Sequence, residues 1–168
     1  MPRASTLPRA FAVGIVLALC STACGGGGGA STPAAPGTAT VARVVDGDTI
    51  RVRLDGGREE RVRYIGIDTP ESVKPGTPVQ CFAKKASHFN DSLVSGREVT
   101  LRTDAEQRDR YGRLLAYVYT GGRFVNRELV ARGYARTLTI PPNVAHAAEL
   151  RHLARRARAA GRGLWSRC

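Results

Sequence analysis

Asp46-Gly47-Asp48-Thr49 and Arg63-Tyr64-Ile65-Gly66-Ile67-Asp68-Thr69-Pro70-Glu71 gather four carboxylates and an arginine in one short stretch of chain. Carboxylates at the ends of strand-like segments are the oxygen donors that a hard divalent cation takes. An arginine fork among them suits a phosphate oxygen. A cation and a guanidinium meeting at one phosphate would serve phosphodiester chemistry. Each residue also has an ordinary structural reading: Asp46 as a turn residue accepting backbone hydrogen bonds, Glu71 as a loop carboxylate after proline.

The surrounding pattern indicates how these residues are held. The run from Thr40 to Val45 is β-branched, and Ile50, Val52 and Leu54 then alternate with Arg51 and Arg53, the period of a strand with one face buried. Asp55-Gly56-Gly57 marks a tight turn into a third strand over Glu60 to Ile67, so the first third reads as a meander. Pro70 to Pro78 is a loop. Phe82, Ala86, Phe89, Leu93 and Val94 recur at helical spacing until Gly96. Two more strands follow, Glu98 to Arg102 and Leu114 to Tyr119, joined by a loop over Asp104 to Arg113. Val125 to Ala131 is a short helix closed by Gly133. After Pro141-Pro142, Ala147, Leu150, Leu153, Ala154 and Ala157 form one helical face opposite Arg151, Arg155, Arg158 and Arg162. The order predicts an α+β domain, a five-stranded OB-fold β-barrel with about three helices.

The chain has 168 residues with 42% hydrophobic composition, room for one domain and a leader. Arg3 and Arg9, an apolar run from Ala10 to Leu19 and the small residues Ser21-Thr22-Ala23 make residues 1–24 a secretory signal peptide, too short in its apolar part to span a bilayer. Cys24, followed by glycines, resembles the lipidation site of bacterial lipoproteins, although Ser21 stands where an aliphatic residue is usual. Residues 25–38 are Gly, Ala, Ser, Thr and Pro with one Val-free run of low complexity, a flexible linker, and 39–168 form the folded domain. The expected location is outside a bacterial cytoplasm, as a lipoprotein attached to the envelope membrane or as a secreted protein. Cys81 and Cys168 would then sit in an oxidising compartment, either paired as a disulfide or as two free thiols. The formal charge of +12 calls for a polyanionic partner: nucleic acid, anionic lipid or a cell-wall polymer.

Together with Asp109-Arg110-Tyr111-Gly112-Arg113-Leu114-Leu115-Ala116-Tyr117 and Val125-Asn126-Arg127-Glu128-Leu129-Val130, the opening segments resemble the staphylococcal-nuclease (thermonuclease) family from about Thr40 to Trp165. The resemblance implies that Asp48 and Asp68 are ligands of one Ca²⁺ with the backbone carbonyl of Thr69, and that Asp46 is an acid neighbouring the ion. It implies that Glu71 orients or deprotonates the attacking water, that Arg63 and Arg113 clamp the phosphate, and that Tyr111 lies beside it. In-line attack builds charge on the nonbridging oxygens, which a cation and two guanidiniums would stabilise. The implied activity is Ca²⁺-dependent, sugar-nonspecific hydrolysis of DNA and RNA, leaving 5′-hydroxyl and 3′-phosphate ends. Single strands and frayed duplex are the expected substrates, and nothing in the sequence demands more than a monomer.

Two departures stand out. Where relatives in that family carry tyrosines that stack on the base, this chain has Leu138-Thr139-Ile140, which predicts weaker nucleotide binding. The family's Tyr-Gly-x-Glu-Ala in the first helix becomes Phe82-Ala83-Lys84-Lys85-Ala86. His88, His146 and His152 share no metal-ligand spacing. Two other readings remain open: a noncatalytic nucleic-acid-binding module on the same barrel, and a cationic envelope-associated protein that binds anionic polymers without regard to Ca²⁺.

Overall fold

In the computed structural model, which describes residues 37–72, 76 and 78–168, the alternating segment becomes strand β2, Thr49–Arg53, with Ile50 and Val52 wholly buried. It is flanked by β1, Gly37–Val44, and β3, Glu59–Tyr64, in antiparallel register. The expected signal peptide, Cys24 and the expected linker as far as residue 36 lie outside the described residues. Strand β1 opens ahead of its β-branched run, because Gly37 and Thr38 pair with Leu101 and Thr100 of the fifth strand. Sheet pairing, rather than side-chain propensity, sets that boundary.

Strand β3 is shorter than the apolar run suggested. Gly66, at φ 80°, turns the chain, and Ile67–Asp68 is a separate strand, β4. Ile65 and Ile67 are both buried, so hydrophobicity continues across a bend that a periodicity reading runs straight through. Beyond helix α1, Ala83–Val94, come β5, Glu98–Arg102, and β6, Leu114–Thr120. Strand β6 pairs antiparallel with β5 and parallel with β3, matching Val62 to Leu114, Arg63 to Leu115 and Tyr64 to Ala116. That parallel pairing closes β1, β2, β3, β6 and β5 into a five-stranded barrel.

A glycine turn leads into β7, Arg123–Phe124, then helix α2, Val125–Ala131, and β8, Arg136–Thr137, which pairs with β4. Helix α3, Ala147–Ala159, buries Ala147, Leu150 and Ala157 and leaves Arg151, Arg155 and Arg158 exposed. A last turn, α4, spans Leu164–Arg167. Its start is clipped to the body. Gly133 and Gly163 pack backbone against backbone, a Cβ on either would strike the other's chain, and the Leu164 amide donates to the Gly133 carbonyl at 2.9 Å. Cys168 follows, joined by a disulfide to Cys81 with Cα atoms 5.8 Å apart.

Two buried asparagines tie elements together. Asn90 on α1 accepts a hydrogen bond from the Tyr64 hydroxyl at 3.0 Å and donates to the Asp46 carbonyl at 3.1 Å. Asn126 on α2 accepts from the Val118 amide at 3.0 Å and donates to the Ile65 carbonyl at 2.9 Å. Both satisfy backbone groups that burial would otherwise leave unpaired.

Candidate active site

The β1–β2 connection carries Asp46 and Asp48, and the end of β3 and β4 carries Arg63, Asp68, Thr69 and Glu71. These residues line one cavity of about 70 Å³, together with Arg113. Asp48, only 5% exposed, accepts from the Thr69 amide at 2.7 Å and the Thr69 hydroxyl at 2.9 Å. Gly47 makes the approach feasible, since a Cβ there would stand 2.7 Å from Thr69 Oγ1. Thr69 therefore meets Asp48 through its amide and hydroxyl. Arg63 bridges the acids: its guanidinium lies 3.1 Å from Asp48 Oδ2 and 2.9 Å from Asp68 Oδ1, and it also donates to the Ile67 carbonyl at 3.0 Å.

Arg113 reaches the same cavity from the loop before β6. The turn is built on Asp109, whose Oδ1 accepts from the amides of Tyr111 and Arg113 at 2.9 and 3.0 Å. Its Oδ2 takes Arg113 Nε at 2.6 Å. Tyr111 is 69% exposed, with the guanidiniums of Arg110 and Arg113 4.8 and 5.5 Å from its ring centre. Arg63, Tyr111 and Arg113 also line a second, larger cleft of about 480 Å³, walled by Leu138 and Ile140. The small acidic cavity and the larger cleft thus share Arg63 and Arg113.

The electrostatics favour a positive guest. Burial, and then the neighbouring charge of Asp48, push the Asp46 carboxyl up to about 7. Asp68 is raised for the same two reasons, in that order, with Arg63 opposing them. The donors are all oxygen, the chemistry of a hard divalent cation rather than a thiophilic one. Among the described residues no three His, Cys, Asp or Glu side chains are grouped so as to hold a metal by themselves. A hard cation held here would complete its coordination shell with water.

Several positioning residues had no signal in the sequence. Asn90 fixes the backbone of Asp46 from a helix 44 residues away, and Asn126 fixes that of Ile65 from 61 residues away. Gln80 holds the backbone of Glu71 from across the proline-rich loop, its Oε1 accepting from the Glu71 amide at 2.9 Å. Asp109 does have one, since an Asp with Gly three residues on, as in Asp109-Arg110-Tyr111-Gly112, is a turn signal.

Barrel and site together define a class: OB-type barrels that set carboxylates against paired guanidiniums beside an open cleft. Residues 61–167, more than half of the chain, match the family described as staphylococcal nuclease homologue. The chain belongs to that family. It is 50% identical over 103 residues to a protein named thermonuclease from Staphylococcus intermedius, covering 61% of each chain. It is 41% identical over 129 residues to a thermonuclease from Staphylococcus hyicus, covering 77% of this chain and 76% of that one. It is 38% identical over 130 residues to endonuclease YncB of Bacillus subtilis (strain 168), covering 76% of this chain and 61% of the relative.

Proposed function

We propose that this chain is a nuclease that hydrolyses phosphodiester bonds of DNA and RNA with the help of Ca²⁺. The observation that carries the reading is the sharing of Arg63 and Arg113 between the acidic cavity and the larger cleft. A phosphate gripped by both guanidiniums would face the carboxylates, with its nucleoside in the cleft beside Tyr111 and Leu138. Asp48 and Asp68, with the Thr69 carbonyl, would hold the cation, which supplies Lewis-acid stabilisation of the phosphoryl oxygens. Glu71, on the rim of the acidic cavity, orients the attacking water or takes its proton. The two arginines bind the nonbridging oxygens more tightly as charge builds on them. An open cleft with the aromatic ring of Tyr111 and the apolar side chains of Leu138 and Ile140 in its wall suits single strands, whose bases are free to enter it.

The family carries the products expected: 5′-hydroxyl and 3′-phosphate ends. Export, and a lipid on Cys24, belong to the same proposal and rest on the leader and the oxidised cysteine pair. The test is digestion of single-stranded DNA by the purified protein with Ca²⁺ and with chelator, beside Glu71→Gln. Cleavage that needs Ca²⁺ and falls by two or more orders of magnitude in the variant supports the reading. DNA bound equally by both proteins, uncut and indifferent to Ca²⁺, would instead make this a binding module.

A further inference from the structure

The loop that carries Glu71 is closed by a reciprocal pair of hydrogen bonds. The Glu71 amide donates to Gln80 Oε1, and the Gln80 amide donates to the Glu71 carbonyl, both at 2.9 Å. Gln80 is in turn fixed from its other side. Its carbonyl accepts from the Ala83 amide at 3.1 Å at the start of α1, and the next residue is Cys81, bonded to Cys168. Cys168 ends the turn that is clipped to Gly133 through Leu164. A continuous set of contacts therefore runs from the C-terminal clip, through the disulfide, to the backbone of Glu71.

We infer that Gln80 is a positioning residue for Glu71, and that the Cys81–Cys168 disulfide holds Gln80 in place, so that the activity of this site depends on oxidation of the pair. The inference rests on the reading that Glu71 acts on the attacking water. Gln80 touches no reacting atom; it fixes the peptide from which the Glu71 side chain projects. Misplacing such a group by about an ångström costs up to roughly a hundredfold in rate. Both cysteines are exposed, so a reductant can reach the bond. A dithiol reductant is oxidised to its own disulfide as the Cys81–Cys168 bond takes up two electrons and two protons and becomes two thiols.

The experiment has an activity arm and an exchange arm, both run well below the unfolding temperature with the fold checked by circular dichroism. In the first, kcat and KM on single-stranded DNA are measured for the oxidised protein, the dithiothreitol-reduced protein, Gln80→Leu and Gln80→Glu. The inference expects kcat to fall about tenfold or more in the reduced protein and in Gln80→Leu, with KM within about twofold. Gln80→Glu, which keeps the acceptor oxygen, should restore most of the rate. In a Glu71→Gln background, Gln80→Leu should add no further loss. In the second arm, hydrogen exchange of the Glu71 amide is followed by NMR and should quicken at least tenfold in Gln80→Leu and on reduction. Unchanged kcat and unchanged exchange in the reduced, folded protein would overturn the inference and leave the disulfide as a staple only. If Glu71→Gln keeps full activity, the catalytic reading of Glu71 fails, and the exchange arm still decides whether the latch exists.

Discussion

Asp109 illustrates how much of this site is set by residues that take no part in its chemistry. Burial works against its charge, yet the Arg113 guanidinium and the amides of Arg113 and Tyr111 outweigh it and hold the carboxyl below the usual aspartate range. A carboxyl depressed by folding stabilises the native state above its unfolded titration, near 3.9, and that stabilisation is lost as the pH falls through the lower folded value. Asp109→Asn should therefore cost about 1.5–3 kcal/mol in urea denaturation at neutral pH, with the gap to the parent protein narrowing below about pH 3. Leu138 and Ile140 test the other wall of the cleft. Both are exposed, at 39% and 58%, on the side facing Tyr111. Replacing either by Tyr should tighten binding of a mononucleotide inhibitor by about 1–3 kcal/mol, read by calorimetry, and unchanged affinity would remove base stacking from the account. Of the acids and arginines that line the small cavity, Asp46, Asp48, Arg63, Asp68 and Glu71 stood out in two short segments of sequence, and Arg113 came with the family resemblance. Gln80, Asn90 and Asn126 did not stand out, because an amide side chain looks the same whether it faces solvent or completes a buried pairing decades of residues away.

At the scale of elements, periodicity revealed the barrel strands, the core face of α1 and the buried face of α3, all of which repeat long enough to show a period. The two-residue strands β4 and β8 have none to show, and their pairing of Asp68 with Arg136 exists only once the chain has turned at Gly66. Helix α2 is short for its influence. It buries Val125, Asn126, Leu129 and Val130, and Asn126 joins it to both β6 and the bend after β3. Asn126→Leu would orphan the Val118 amide and the Ile65 carbonyl inside the fold, each costing about 1–3 kcal/mol. The variant should lose roughly 2–4 kcal/mol in denaturant titration, and activity should fall through displacement of the bend that follows Arg63 and β3. A loss under about 1 kcal/mol would show that water replaces the amide at that position.

For the whole molecule, the disulfide spans 87 residues and closes the helices and the barrel strands β5 and β6 into a single loop, with β1, β2 and β3 outside it. In the chain-entropy account such a closure restricts the unfolded ensemble by on the order of 4–5 kcal/mol. The double variant Cys81→Ser/Cys168→Ser should unfold at a lower urea midpoint by about 2–5 kcal/mol, and an unchanged midpoint would confine the bond to local effects. The parallel pairing of β3 with β6 has a different reach. It is what brings Arg63 beside the segment that starts with Arg113, fifty residues later in the chain. At synthesis rates of about 5–20 residues per second, a ribosome exposes the first guanidinium roughly 3–10 s before the second. Until then the nascent chain carries only one of the two guanidiniums with which, on the proposed reading, it would grip a phosphate.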